Sequence, residues 1–165
     1  MKENKKRVLI PGSFDPITVG HYDVIKRASE IFDEVYVVIF QNTEKTGKGI
    51  FSGSDCLEML EKAVCGLENV YTDITDRLVV DYAKDKKIDY IVKGIRDTID
   101  FEYEYDLFVI NKSIGDYDTI FIPSMPEYKH VSSTFVRDMI KYDRDVTPYV
   151  PNGVADIINR IKANK

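Results

Sequence analysis

The chain has 165 residues, a formal net charge of −5, and 44% hydrophobic and 31% charged residues, so disordered and fibrous classes are excluded and one domain with a two-sided core is expected. The acidic balance speaks against a general affinity for nucleic-acid backbone, although a small anionic substrate needs only a few local cations. The two cysteines and two histidines form no zinc-ligand pattern, and the longest apolar run, Val35 to Phe40, is far too short to span a bilayer. The basic start, Met1 to Arg7, is followed by a strand and a glycine turn rather than by the apolar stretch of a signal peptide, so the cytoplasm is the expected location.

Taken in order, apolar runs alternate with helical periodicity from end to end, the pattern of repeated βα units on a parallel sheet. Strands are expected near Val8–Ile10, Val35–Phe40, Val70–Ile74, Tyr90–Val92 and Thr119–Ile122. The first leads into Pro11-Gly12-Ser13-Phe14-Asp15-Pro16-Ile17-Thr18-Val19-Gly20-His21 and then a helix over about Gly20 to Phe32. A glycine-rich turn at a helix start offers unpaired N–H groups and a positive dipole end to an anion, with Gly12 and Gly20 allowing close approach. Thr18 and His21, three residues apart, are expected on one face and within reach of one phosphate. The plainer reading makes His21 a helix-start histidine satisfied by a carbonyl.

The second strand opens into a polar loop bearing Asn42, Lys45, Lys48 and Phe51, at the sheet edge where ligands of α/β proteins bind. Ser52 and Asp55 then cap a helix with Leu57, Leu60, Val64 and Leu67 on its apolar face; Cys56 and Cys65 fall on opposite faces of it, about 13 Å apart along the axis. A helix carrying Leu78, Val79, Tyr82 and Ala83 follows the third strand. The fourth strand delivers Lys93 and Arg96 around Gly94, cations that would bracket a polyphosphate if they face His21. Asp100, Glu102 and Tyr103 read as ordinary helix surface. After the fifth strand, Ser132, Ser133 and Thr134 open a helix and make a second anion cradle, or simply an N-cap. The tail is read as a helix with Pro151 near its start.

The eleven-residue turn, the segment Lys93-Gly94-Ile95-Arg96 to Glu104 and the serine cluster, in this order, resemble the bacterial phosphopantetheine adenylyltransferases of the nucleotidyltransferase superfamily. The resemblance implies an α/β fold with a Rossmann-like, doubly wound, parallel five-stranded sheet in a single domain spanning 1–165. It implies transfer of the adenylyl group of ATP, with Mg²⁺, to 4′-phosphopantetheine, and a homo-oligomer, a hexamer in that family. Carried over by position, His21, Thr18 and Lys45 are expected to act in catalysis. ATP would meet Ser13, Phe14, His21, Gly94, Ile95, Arg96 and Glu104, and then Tyr128, Lys129, His130, Val131, Ser132, Ser133 and Thr134. Ser13, Lys45, Val80 and Lys93 would hold the acceptor, its pantetheine arm lying around Val79 and Val80, with Lys48 as competitor to Lys45. Lys93 stands where the family usually has arginine, which keeps the charge but loses the planar fork. The segment after Phe51 also departs from the family pattern. Two other readings stay open: a relative using another phosphorylated acceptor, and a catalytically silent nucleotide-binding module.

Overall fold

The computed structural model describes residues 4–41 and 49–164. Five strands, β1 (Arg7–Gly12), β2 (Glu34–Phe40), β3 (Val70–Thr75), β4 (Tyr90–Ile95) and β5 (Thr119–Pro123), form one parallel sheet in the order β3-β2-β1-β4-β5. The helices are α1 (Val19–Ile31), α2 (Gly53–Val64), α3 (Val79–Asp85), α4 (Thr98–Gly115), α5 (Ser133–Lys141) and α6 (Val154–Ala163). All five expected strands are present, extended by up to three residues.

Alternation along the strands divides the core in two. Val8, Ile10, Val35, Val37 and Ile39 pack in one cluster with Val24, Ile25 and Ala28 of α1 and with the buried residues of α2 and α6. Leu9 and Val38 point the other way, into a smaller cluster with Tyr82 and Ala83 of α3. Helices on both faces explain why the central strands read as nearly continuous apolar runs.

Chain order reverses at β1, because β2 and β3 extend the sheet on one side and β4 and β5 on the other. That reversal is the switch point where an α/β sheet opens a crevice beyond the strand ends. The β1–β4 ladder pairs only Val8 with Tyr90 and Leu9 with Ile91, so the carboxyl ends of the two strands part. Into that gap Lys93 Nζ donates to the carbonyl oxygen of Pro11 at 3.1 Å.

The tail differs from its expected start. Pro151 lies before the helix, which begins at Val154 after Gly153 turns the chain at φ 83°, a conformation glycine adopts without strain. Among the described residues no helix is long and apolar enough to cross a membrane.

Ile25 is fully buried beneath the sheet whereas Lys26 is exposed. In denaturant unfolding, Ile25→Ala is expected to cost about 2–5 kcal/mol and Lys26→Ala to stay within about 0.5 kcal/mol.

Candidate active site

The turn from β1 to α1 is built around a reciprocal cap. Thr18 is the N-cap, its Oγ1 accepting from the His21 backbone N–H at 3.3 Å, while its own N–H donates to His21 Nδ1 at 3.0 Å. A nitrogen that accepts an N–H carries no proton, so in the neutral ring the proton resides on Nε2. Burial, with Lys93 and then Arg96 nearby, pulls the His21 pKa down from 6.5 to about 4, against a smaller opposing effect of Asp100. At neutral pH His21 is therefore a neutral imidazole offering one N–H. The Phe14 ring packs edge-on against it at 5.2 Å, and Phe14 itself sits at φ 46°, a left-handed conformation uncommon outside glycine.

A cavity of about 690 Å³ lies over the parted ends of β1 and β4 and is lined by Ser13, Phe14, Thr18, His21, Lys93, Gly94, Arg96 and Glu104, with Val131 to Thr134. The imidazole and the cations some seventy positions later thus reach the same cavity. Glycines help set its walls: a Cβ on Gly94 would lie 2.9 Å from Val24 Cγ2 of α1, and one on Gly12 would lie 2.9 Å from the Phe14 ring. At Gly20 a Cβ would make only ordinary contacts within the protein.

The charges within the cavity are arranged in pairs. Lys93 Nζ lies 3.2 Å from Glu104 Oε1, and Arg96 Nε donates to Asp100 Oδ2 at 2.9 Å while Nη2 donates to Oδ1 at 3.2 Å. Hydrogen bonding to Arg96 holds the Asp100 carboxyl below its usual range. Burial pushes Glu104 up in spite of Lys93, and its Oε2 is buried with no hydrogen bond.

The helix starts carry a further asymmetry. The first turns of α2, α3, α4 and α6 contain Asp55, Asp81, Asp100 and Asp156, whereas those of α1 and α5 contain no acidic residue. α1 and α5 both begin at the cavity, where an incoming anion can meet their positive dipole ends without competition from a carboxylate in the first turn. Ser132 caps α5 by accepting from the Phe135 N–H at 3.0 Å, and Ser133 Oγ donates to the Pro16 carbonyl at 2.8 Å, joining the two starts.

The other expected positions fall partly on the cavity wall and partly off it. Thr18 lines the cavity but is 1% exposed, and its hydroxyl lies within hydrogen-bond distance of the His21 N–H and of Nδ1. Of the two valines expected near the acceptor arm, Val79 lines the cavity and Val80 is buried off its wall, because one step along a helix turns the side chain by about 100°. Tyr128, Lys129 and His130 also lie off the wall; His130 packs against the rings of Phe135 and Tyr149. Ile95 borders a neighbouring shallow pocket, and Lys45, with Lys48, lies outside the described residues. Asp100 and Tyr103, read as plain helix surface, line the cavity, and so does Arg137, to which sequence reasoning gave no role.

Comparison with known proteins bears on this cavity. A cytidylyltransferase-like family model matches residues 9–139. Proteins named phosphopantetheine adenylyltransferase are similar along nearly their whole length: that of Phocaeicola vulgatus is 40% identical, covering 90% of this chain and 97% of its own. That of Clostridium novyi is 39% identical, covering 93% and 95%. The chain belongs to the phosphopantetheine adenylyltransferase family. A solved Vibrio parahaemolyticus structure, provisionally named nicotinate-nucleotide adenylyltransferase, shares the fold with a TM-score of 0.70 at 18% identity, covering 94% of this chain and 93% of that one. Family membership and the α/β nucleotidyltransferase fold implied by the motifs are both borne out.

His21 offers a direct check on the electrostatics of the family's site in this chain. Its ring resonances are expected to titrate with a midpoint of about 4 in the folded protein, against 6.5 unfolded. Between those values the unfolded chain binds more protons, so unfolding free energy should rise with pH from about 4 to 6.5 and be lost as pH falls. His21→Asn should remove that part of the slope in unfolding measured across this range.

Proposed function

We propose that this chain transfers the adenylyl group of ATP to the phosphate of 4′-phosphopantetheine, giving dephospho-coenzyme A and pyrophosphate. The observation that carries the reading is a neutral imidazole donor sharing a cavity with Lys93, Arg96 and two helix starts that lack acidic residues. The acceptor phosphate is already nucleophilic at neutral pH, so the chain has to align two anions and stabilise charge at the α-phosphorus. An acceptor oxygen forms the new bond to that phosphorus. The bond to the β-phosphate oxygen breaks, and its electron pair leaves with pyrophosphate.

On this reading His21 Nε2–H donates to the α-phosphate oxygens as they gain charge, with Thr18 holding the ring. Lys93 neutralises the acceptor phosphate together with Lys45, for which Lys48 is the competitor. Arg96 exchanges Asp100 for the nucleotide phosphates, and the Ser13–Phe14 turn and Ser132 to Thr134 complete the cradle. Glu104 keeps a free acceptor oxygen for the nucleotide side. The cavity lining also includes the apolar Phe40, Val79, Leu107 and Phe108 and the amide of Asn111, which suit an uncharged arm carrying amides and methyl groups. Among the described residues no group of three or more His, Cys, Asp or Glu could hold a metal ion, so magnesium is assigned to the nucleotide substrate, MgATP. No step is assigned to an ion held by the protein.

We assign the activity to the cytoplasm, to residues 1–165 acting as one domain, and to small-molecule substrates rather than nucleic acid, in line with the net charge of −5. We further propose that copies of the chain assemble through α4, to a hexamer as in the family. Ile99, Tyr103, Ile110 and Ile114 of that helix are exposed and none of its residues is buried, although a helix this apolar around its circumference is normally covered.

Three measurements test these readings. With a panel of phosphorylated acceptors and ATP or CTP, pyrophosphate release is expected with ATP and 4′-phosphopantetheine; release only with another pair refutes the assignment. His21→Ala should lower turnover by about 10²–10³ while changing ATP binding far less. Light scattering on the eluting protein should give a mass well above the 19.0 kDa of one chain, reduced toward it by Ile110→Lys with Ile114→Glu.

A further inference from the structure

Two oxygens on the cavity wall, Glu104 Oε2 and Thr119 Oγ1, are buried with no hydrogen-bond partner among the described residues. The carboxylate oxygen is the costlier of the two, because a buried charge needs its lone pairs satisfied. Glu104 is paired at Oε1 alone, with the Lys93 ammonium at 3.2 Å, and both side chains are largely covered. Lys93 is itself divided: Nζ also donates to the Pro11 carbonyl at 3.1 Å, which leaves one of its three N–H donors for a ligand.

Among the described residues nothing else favours the Glu104 charge. β4 presents Lys93, with Arg96 just beyond its end and tied to Asp100. α1 presents the neutral His21 across the cavity, α3 the apolar Val79, and β5 the Thr119 hydroxyl. On α4 itself, Asp100 lies one turn earlier and opposes the charge. Burial already pushes the Glu104 carboxyl above its usual range, with Lys93 acting against the rise. Two acceptors on one tetrahedral ammonium stand about 5 Å apart, so an anion taking the remaining N–H of Lys93 places a like charge at that distance from Oε1 and favours the neutral acid.

We infer that Glu104 takes up one proton when a phosphate dianion docks at Lys93, so that acceptor binding is coupled to protonation of this carboxyl. The proton comes from solvent and adds to Oε1; no other bond forms or breaks. The ammonium is then left to the phosphate, the new O–H becomes a donor toward it, and Oε2 stays an acceptor for the nucleotide side. His21, with a pKa of about 4, and Asp100, held low by its hydrogen bonds to Arg96, keep their protonation states near neutral pH, which leaves Glu104 as the group that responds. Since the complex holds one more proton than the free chain, affinity falls as pH rises above neutrality, where a phosphate monoester is already a dianion. The inference rests on the reading that places the acceptor phosphate at Lys93.

The test is calorimetric titration of 4′-phosphopantetheine into the full chain at about pH 7.5 in buffers of differing ionisation enthalpy, where the slope of observed heat against that enthalpy counts protons. The wild-type chain should take up close to one proton, and its affinity should fall by up to about tenfold per unit of pH between about 7 and 8.5. Pantetheine without its phosphate should cause no uptake. Glu104→Gln, which imitates the neutral acid, should abolish the uptake, flatten the pH dependence and bind the acceptor at least as tightly as the wild type. No uptake by the wild type, or undiminished uptake by Glu104→Gln, overturns the inference. If thermal unfolding shows that Glu104→Gln does not fold, Glu104→Asp, which draws the acid back from Lys93, should take up a smaller fraction of a proton, and uptake equal to wild type again overturns it. Where the acceptor panel selects another phosphorylated compound, that compound replaces 4′-phosphopantetheine: uptake with it sinks the acceptor assignment alone, and a chain that binds no phosphorylated acceptor sinks both.

Discussion

One hydrogen bond, from the Thr18 backbone N–H to His21 Nδ1, fixes what the imidazole offers to this cavity. It selects the tautomer, aims the ring, and leaves Nε2 as a donor. The low pKa follows from the same placement, since a ring tucked beside Lys93 and Arg96 is poorly suited to taking on a second proton. The result is a hydrogen-bond donor that stays neutral throughout the physiological range. Such a group can strengthen its bond as an oxygen becomes more negative without adding a permanent charge beside two other cations.

That bond exists because α1 starts where it does. Thr18 is buried at the end of the central strand's turn, and β1 is central because the chain reverses direction around it. The parted ends of β1 and β4 leave the crevice, and Lys93 bridges it by reaching the Pro11 carbonyl. Cations so close together would repel if left alone. Asp100 and Glu104 offset Arg96 and Lys93.

Much of this was legible in the residues. Strand positions followed from apolar runs of strand length, and the caps at Thr18, Ser52 and Ser132 are local hydrogen bonds spanning three residues. The same locality made the convergence of His21, Lys93, Arg96 and the serine cluster an expectation carried by motif order. Local pattern did not settle which residues meet the cavity. Val79 and Val80 differ by one helical step and only Val79 lines it, and Tyr128 to His130 adjoin the cradle in sequence without being among the lining residues. Asp100 read as surface because its partner, Arg96, lies before the helix begins, and Arg137 drew no role because its anchors include Asp15, 122 residues away.

The sequence by itself determined the succession of strands and helices, the family, and the chemistry available at each turn, because periodicity, caps and motifs act over a few residues. Only the tertiary structure decided how the cations are paired, which valine meets the cavity, and that the Thr18 hydroxyl lies against the histidine. Those outcomes depend on long-range packing: charge pairing and side-chain direction are set once β1, β4, α1 and α5 are brought together, and no local pattern encodes the distance between them.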